Sequence, residues 1–125
     1  MIRLKRVYEP PEDEDGERFL VERLWPRGVA KEAARISGWL QVLAPSTELR
    51  QWFGHDPAKW DEFRERYRAE LQTPEKQSVL AELAEKVRTG TITFVYAARD
   101  TEHNNAKALK ELIEQQYLGR EERVG

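Results

Sequence analysis

Thr91 to Ala98 reads TITFVYAA, and this stretch decides the fold. It is rich in β-branched and aromatic residues, with apolar side chains on both faces of an extended chain. That is the signature of a central strand in a parallel sheet covered on both sides. Working outward, Ile2 to Tyr8 (IRLKRVY) alternates as a first strand. Arg18 to Leu24 (RFLVERL) reads as a second, ended by Trp25-Pro26-Arg27-Gly28 because proline cannot donate to a ladder. Between them Glu9 to Glu17 (EPPEDEDGE) carries six acidic residues and two prolines, which predicts an exposed loop. Its spacing does not match a calcium loop.

Helices are expected elsewhere. Ile36, Trp39, Leu40 and Leu43 fall at helical spacing, predicting a helix from about Lys31 to the stop at Pro45. Ser46 or Thr47 caps a short helix with Leu49, Trp52 and Phe53 inward, closed by Gly54. Asp56-Pro57 and Thr73-Pro74 are two further start signals. The first precedes the stripe Trp60, Phe63, Tyr67, Leu71; the second precedes Val79, Leu80, Leu83, Val87 and the stop at Gly90. Asp100 or Thr101 is expected to open a last helix bearing Ala106, Leu109, Leu112, Ile113 and Tyr117.

Strands alternating with helices give an α/β class: one small three-layer domain over residues 1–118, with a short, mainly parallel sheet flanked by helices. Residues 119–125 read as a flexible tail. The second and last strands are expected to be parallel. About nine residues join the first two, short for a parallel crossover, so their relation stays open.

The 125 residues are 39% hydrophobic and 35% charged, with four tryptophans, which is globular rather than disordered composition. A net charge of -2 without a basic block argues against nucleic acid or an anionic membrane as partner. There is no cysteine, hence no disulfide, thiol nucleophile or thiolate metal site. No apolar stretch of membrane-spanning length occurs, which points to a cytoplasmic protein. Two isolated histidines without a third ligand make no zinc motif, and neither a P-loop nor a G-x-G-x-x-G sequence is present. No metal or cofactor is expected. Ser46 is explained by helix capping, and Trp39, Trp52, Trp60 and Phe63 by core packing.

Ligands of open α/β sheets collect at the carboxyl ends of the strands. There the sequence places Arg6 and Tyr8, then Arg23, Trp25 and Arg27, then Tyr96 and Arg99; Arg50 in the short helix is a fourth contribution. Arginine grips carboxylates and phosphates with paired hydrogen bonds, and backbone N–H groups near Thr101 to Asn104 would add to an anion pocket with aromatic walls. Arg23 and Arg27 could equally pair with Glu22 or Glu48 and stack on Trp25. His103, held by Asp100, could move protons beside the pocket, or be a polar residue on an exposed turn. His55 is expected in a solvent-facing turn.

Taken together, Arg6-Val7-Tyr8, Asp15-Gly16, Arg23-Leu24-Trp25-Pro26-Arg27-Gly28, Pro45-Ser46-Thr47-Glu48-Leu49-Arg50 and Tyr96-Ala97-Ala98 carry a resemblance. Along almost its whole length the sequence resembles the YeaO-like bacterial proteins of the family called domain of unknown function 488. The resemblance implies a small cytoplasmic α/β domain and draws attention to Arg6, Arg23, Arg27 and Arg50. Other branches of that family carry cysteine near the loop after the last strand, whereas this chain has none. Two functions stay open: binding of a small phosphate- or carboxylate-bearing ligand, with or without thiol-independent catalysis, and a non-catalytic protein-interaction or regulatory module using an Arg/Trp surface.

Overall fold

The computed structural model describes residues 1–119. Its centre is β4 (Ile92–Tyr96), every residue of which is buried. On one side β4 pairs in parallel with β1 (Ile2–Arg6), and on the other with β2 (Glu17–Leu20). A two-residue β3 (Gly38–Trp39) extends the sheet beyond β2, giving the order β1-β4-β2-β3, parallel throughout. The open question of the first two strands is thereby answered. They run parallel but do not touch, because β4 lies between them, and residues 7–16 cross the gap with only a 3-10 turn at Asp13–Asp15.

The pleat sorts the side chains. Leu4, Phe94 and Phe19 share one row and one face of the sheet. That face meets α2 (Thr47–Phe53), α3 (Trp60–Glu70), α4 (Pro74–Thr89) and α5 (Asn105–Ile113) in the main core, where Phe63, Tyr67, Leu71, Leu80 and Leu109 are almost fully buried. The Tyr67 hydroxyl donates to the Leu43 carbonyl, and burial raises its pKa far above the usual tyrosine range. The other face is thinner. It holds Val7, Leu20 and Val95 under a one-turn α1 (Lys31–Ala34), together with buried Lys5, Arg18 and Thr93.

Four expectations need correction. The acidic loop is not wholly exposed: Asp15 is fully buried beneath this second face. Its carboxylate meets Arg18 at 2.6 Å, Arg3 at 3.1 Å and Lys5 at 3.2 Å. The second strand ends at Leu20, not Leu24. Val21 still donates to the Val95 carbonyl (3.0 Å), but beyond it Leu24 is 71% exposed. The long helix from Lys31 does not form. Arg35 takes a left-handed conformation (φ 49°) and stops α1. Ser37 then donates to Arg18 O (2.7 Å) and Leu40 to Leu20 O (2.8 Å), because the free edge of β2 needs partners. Lastly, α5 begins after Asn104 rather than at Asp100 or Thr101. The Asp100 carboxylate folds back on the N–H groups of Glu102 (2.9 Å) and His103 (3.0 Å), and Asn104 caps α5 through Lys107 N–H (2.8 Å).

The other start signals hold. Ser46 caps α2 through Leu49 N–H (3.1 Å), Asp56 caps a 3-10 turn that runs into α3, and Thr73 caps α4. Gly54 closes α2 in the left-handed region. After α5 the chain continues as a π-helical segment over Glu114–Leu118, and Gly119 is still helical; residues 120–125 of the expected tail lie outside the described residues. No helix among the described residues is long and apolar enough to cross a membrane.

Candidate functional site

Two helices and a loop frame a concave site beside the carboxyl ends of the strands. α2 supplies Thr47, Arg50, Gln51 and Phe53, with Pro45 just before it and His55 just after; the segment following β4 supplies Ala98, His103, Asn104 and Asn105. Phe63 of α3 completes a cavity of about 260 Å3. Its apolar wall is rigid. Phe53 stacks on Phe63 with centroids 4.4 Å apart, and Phe63 on Trp60 at 5.7 Å.

The polar rim is held from both sides. Ser46 caps α2 while its hydroxyl donates to Glu70 (2.5 Å) and its backbone N–H to the same carboxylate (2.9 Å), tying the helix that carries Arg50 to α3. Ser46→Ala is therefore expected to cost about 1–2 kcal/mol, read as a lowered urea midpoint with the same slope. Opposite Arg50, His103 Nδ1 lies 2.9 Å from Asp100 Oδ2, and the ring stands edge-on to Trp60 at 5.4 Å. The Glu102 N–H first, and then His103, hold the Asp100 carboxyl below its ordinary range. A carboxylate on Nδ1 favours the tautomer with its lone pair on Nε2, so the neutral ring can accept a proton or a hydrogen bond there. His55 adopts a positive φ (58°), an uncommon conformation for a non-glycine residue, where the chain turns beside the cavity.

The arginines and aromatics read from the sequence divide. Arg50, His103 and Asn104 line this cavity, with Asp100 behind His103. Arg6 donates to the carbonyls of Ala98 (2.9 Å) and Ala97 (3.4 Å), and its guanidinium lies 5.1 Å from the Tyr8 ring, so it fastens the segment after β4. Arg23 donates to the Pro45 carbonyl (3.2 Å), and Trp25 to Val29 O (2.7 Å). Tyr96 is buried in the main core. Tyr8 lines a separate groove with Pro10, Pro11 and Val29, while Arg27 and Arg99 are exposed outside the cavity. Asn104 is buried, its side chain occupied by Asp100 O and Lys107 N–H. The N–H groups of Glu102 and His103, expected as anion donors, are taken by Asp100.

Glu22 was not read as a site residue. It lies two residues past β2, where burial lifts its carboxyl pKa above the ordinary carboxylate range, outweighing the Arg50 charge that acts to lower it. Asn105 donates to the Val21 carbonyl, which joins α5 to the end of β2. A charged residue within VERLW was the only sequence signal for Glu22. His55, assigned to a solvent-facing turn, is exposed and also forms part of the cavity rim. Among the described residues no group of three or more His, Asp or Glu is arranged to hold a metal ion.

Comparison with known proteins gives one consistent result. The family model DUF488-N3i, described as the inactive DUF488-N3 subclade, matches residues 1–124. Uncharacterized protein YeaO of Escherichia coli (strain K12) is 41% identical over 113 residues, covering 90% of this chain and 96% of that protein. Uncharacterized protein Rv3073c of Mycobacterium tuberculosis (strain ATCC 25618 / H37Rv) is 39% identical over 112 residues, covering 90% and 92%. No solved structure matches.

Proposed function

Because the chain belongs to the DUF488-N3i family, the inactive DUF488-N3 subclade, we propose that it binds a small anionic ligand, bearing a carboxylate or phosphate, without turning it over. The observation that carries this reading is the placement of Arg50, on a capped helix, beside His103 and His55 at one cavity with aromatic walls. Arg50 is exposed, so its guanidinium is open to an incoming anion. The ligand sits with its anionic head on Arg50 and its body against Phe53 and Phe63. Asp100 orients His103 to hydrogen-bond it. The chain has no cysteine to act as a nucleophile, in keeping with a binding role. The cytoplasm is the compartment in which we expect that ligand to be met.

A paired arginine–anion contact contributes about 1.5–3 kcal/mol, so Arg50→Ala is expected to weaken binding by roughly tenfold or more. Thermal shift against carboxylates, sugar phosphates and inorganic phosphate reads this out. Stabilisation of the wild type that is lost in Arg50→Ala supports the reading; equal stabilisation of both proteins contradicts it.

A second reading rests on a different surface. Trp39 (38% exposed) meets Trp25 edge-on at 5.5 Å, and Leu24 and Arg27 stand exposed nearby in sequence. Trp, Arg and exposed Leu beside a short edge strand suit a protein-interaction patch. Arg27→Glu would abolish partner capture there while leaving anion binding at Arg50 unchanged.

A further inference from the structure

Among the described residues the cavity beside α2 is lined by one permanent cation, Arg50, by two imidazoles, His55 and His103, and by no carboxylate. The two histidines are not equivalent. His55 is exposed on the turn after α2. His103 is half-buried, its ring edge-on to Trp60 and its Nδ1 2.9 Å from Asp100 Oδ2. Asp100 is itself held in place by the N–H groups of Glu102 and His103. The polar atom that the His103 ring has left for a ligand is Nε2.

The Asp100 contact sets what Nε2 can offer. An ionised carboxylate only accepts hydrogen bonds, so the hydrogen of the neutral ring resides on Nδ1 and Nε2 carries a lone pair. A lone pair repels an anion. Moving the hydrogen to Nε2 would leave the Nδ1 lone pair facing a carboxylate at 2.9 Å and forfeit that hydrogen bond. A ring protonated on both nitrogens serves both sides: Nδ1–H to Asp100 and Nε2–H to the ligand, each bond charge-assisted. The neighbouring charges make this depend on the ligand. Glu102, on the same turn, is paired with Lys107 at 2.5 Å, and Arg64, whose guanidinium lies 5.5 Å from the Trp60 ring, is paired with Asp61 and Glu111. Across the cavity stand Arg50 on α2 and His55 after it. The Arg50 charge opposes a cationic His103 ring, and an anion bound on Arg50 offsets that opposition.

We propose that this cavity takes up its anion together with a proton, which His103 carries on Nε2. The proposal rests on the reading that Arg50 binds an anion here, and it deepens that reading. The ligand is held between a permanent cation and a second one that its own binding creates, so affinity rises as pH falls. Asp100 dictates the tautomer that makes the proton necessary. The wall of Phe53, Phe63, Pro45 and Ala98 asks for an apolar body on the anion.

The test is calorimetric titration with benzoate and benzenesulfonate between pH 6 and pH 9, each in two buffers of different ionisation enthalpy, which together count the protons taken up per ligand bound. Neither ligand takes up a proton in that range, so any uptake belongs to the protein. In the wild type, uptake is expected to peak at about half a proton or more per ligand, and affinity at pH 6 to exceed that at pH 9 by about tenfold or more. In His103→Gln the uptake is expected to fall below about half of the wild-type value, with the pH dependence of affinity reduced to match. Equal affinity at pH 6 and pH 9 in the wild type, or uptake that stays above that level in a folded His103→Gln protein, overturns the proposal. Should His103→Gln fail to fold, nitrogen-15 spectra of the ring nitrogens in the wild type decide it. The His103 signals, told from those of His55 through His55→Gln, are expected to move to the imidazolium position on saturation with benzoate; signals unmoved at every pH overturn the proposal. Arg50→Ala distinguishes the two levels. Binding that depends on Arg50 without proton uptake removes only the coupling. Absence of binding of either ligand, or binding indifferent to Arg50, removes the anion cavity with it.

Discussion

Gly16→Ala is expected to destabilise the domain by about 4 kcal/mol, close to the whole stability of a small protein. Gly16 joins the acidic loop to β2 with φ 63° and ψ -145°, a region open essentially to glycine alone. Strain of that kind costs about 1–3 kcal/mol. Contact adds to it: a Cβ at this position would stand 2.0 Å from the Thr91 carbonyl oxygen and 3.0 Å from its carbon. Those atoms cannot yield cheaply, because Thr91 leads directly into β4, the strand on which β1 and β2 both depend. Relief requires β2 to part from β4. Urea denaturation at neutral pH reads this as a large fall in midpoint, or as failure to accumulate folded protein. A loss under about 1 kcal/mol would contradict the close approach seen here.

The residue before it carries the second large effect. Asp15 is fully buried and receives Arg18, Arg3 and Lys5 on its side chain, as well as the Glu12 backbone N–H at 3.0 Å. Lys5 and Arg18 are themselves buried. Asp15→Asn keeps the shape but removes the charge, leaving Glu12 as the remaining carboxylate near Lys5 (2.7 Å). Breaking a buried ion cluster from one side strands the opposite charges, and a loss of about 3 kcal/mol is expected. The pH dependence has a definite sign. Burial works to raise the Asp15 pKa, but the Glu12 N–H and the hydrogen bonds from Arg18 and Lys5 outweigh it and hold the carboxyl below its ordinary range. A depressed native pKa contributes stability in full above the unfolded value of about 3.9 and loses it as pH falls through the native value. The gap between wild type and Asp15→Asn is thus expected to be widest at neutral pH and to close in strong acid. A gap that stays constant down to pH 2 would assign the cluster a packing role without electrostatic stabilisation.

How much of this could be read from the sequence follows from where each residue's partners lie. Local signals were dependable. The caps at Ser46, Asp56 and Thr73, the apolar stripe Trp60–Phe63–Tyr67–Leu71 and the central strand all depend on neighbours within a few positions. The errors came where a distant partner took control. Ile36, Trp39, Leu40 and Leu43 satisfy a helical spacing, yet the free edge of β2 draws this segment into a fourth strand, and Gly38 fits close against Phe19. Asp100 has the chemistry of a cap but spends it on a turn, and Asn104 caps the helix instead.

The same distinction governs the site. That arginines gather near the strand ends was legible, because strand ends are local features. Which of them face one cavity was not: Arg6 and Arg23 satisfy backbone carbonyls from residues more than twenty positions away. Arg50, given by its place on a short capped helix, is the one on the cavity. Glu22 was hidden because its burial comes from the packing of distant elements, which no spacing rule links to it.

Whether the Arg50 cavity receives a small anion is read by nuclear magnetic resonance of the arginine Nε–H groups during titration with benzoate. Saturable shifts at Arg50 and at the His103 ring, with Arg23, Arg27 and Arg99 unmoved, are the expected result. Saturable shifts at Arg27 or Arg99 with Arg50 unmoved, or none at any arginine up to millimolar benzoate, would contradict it.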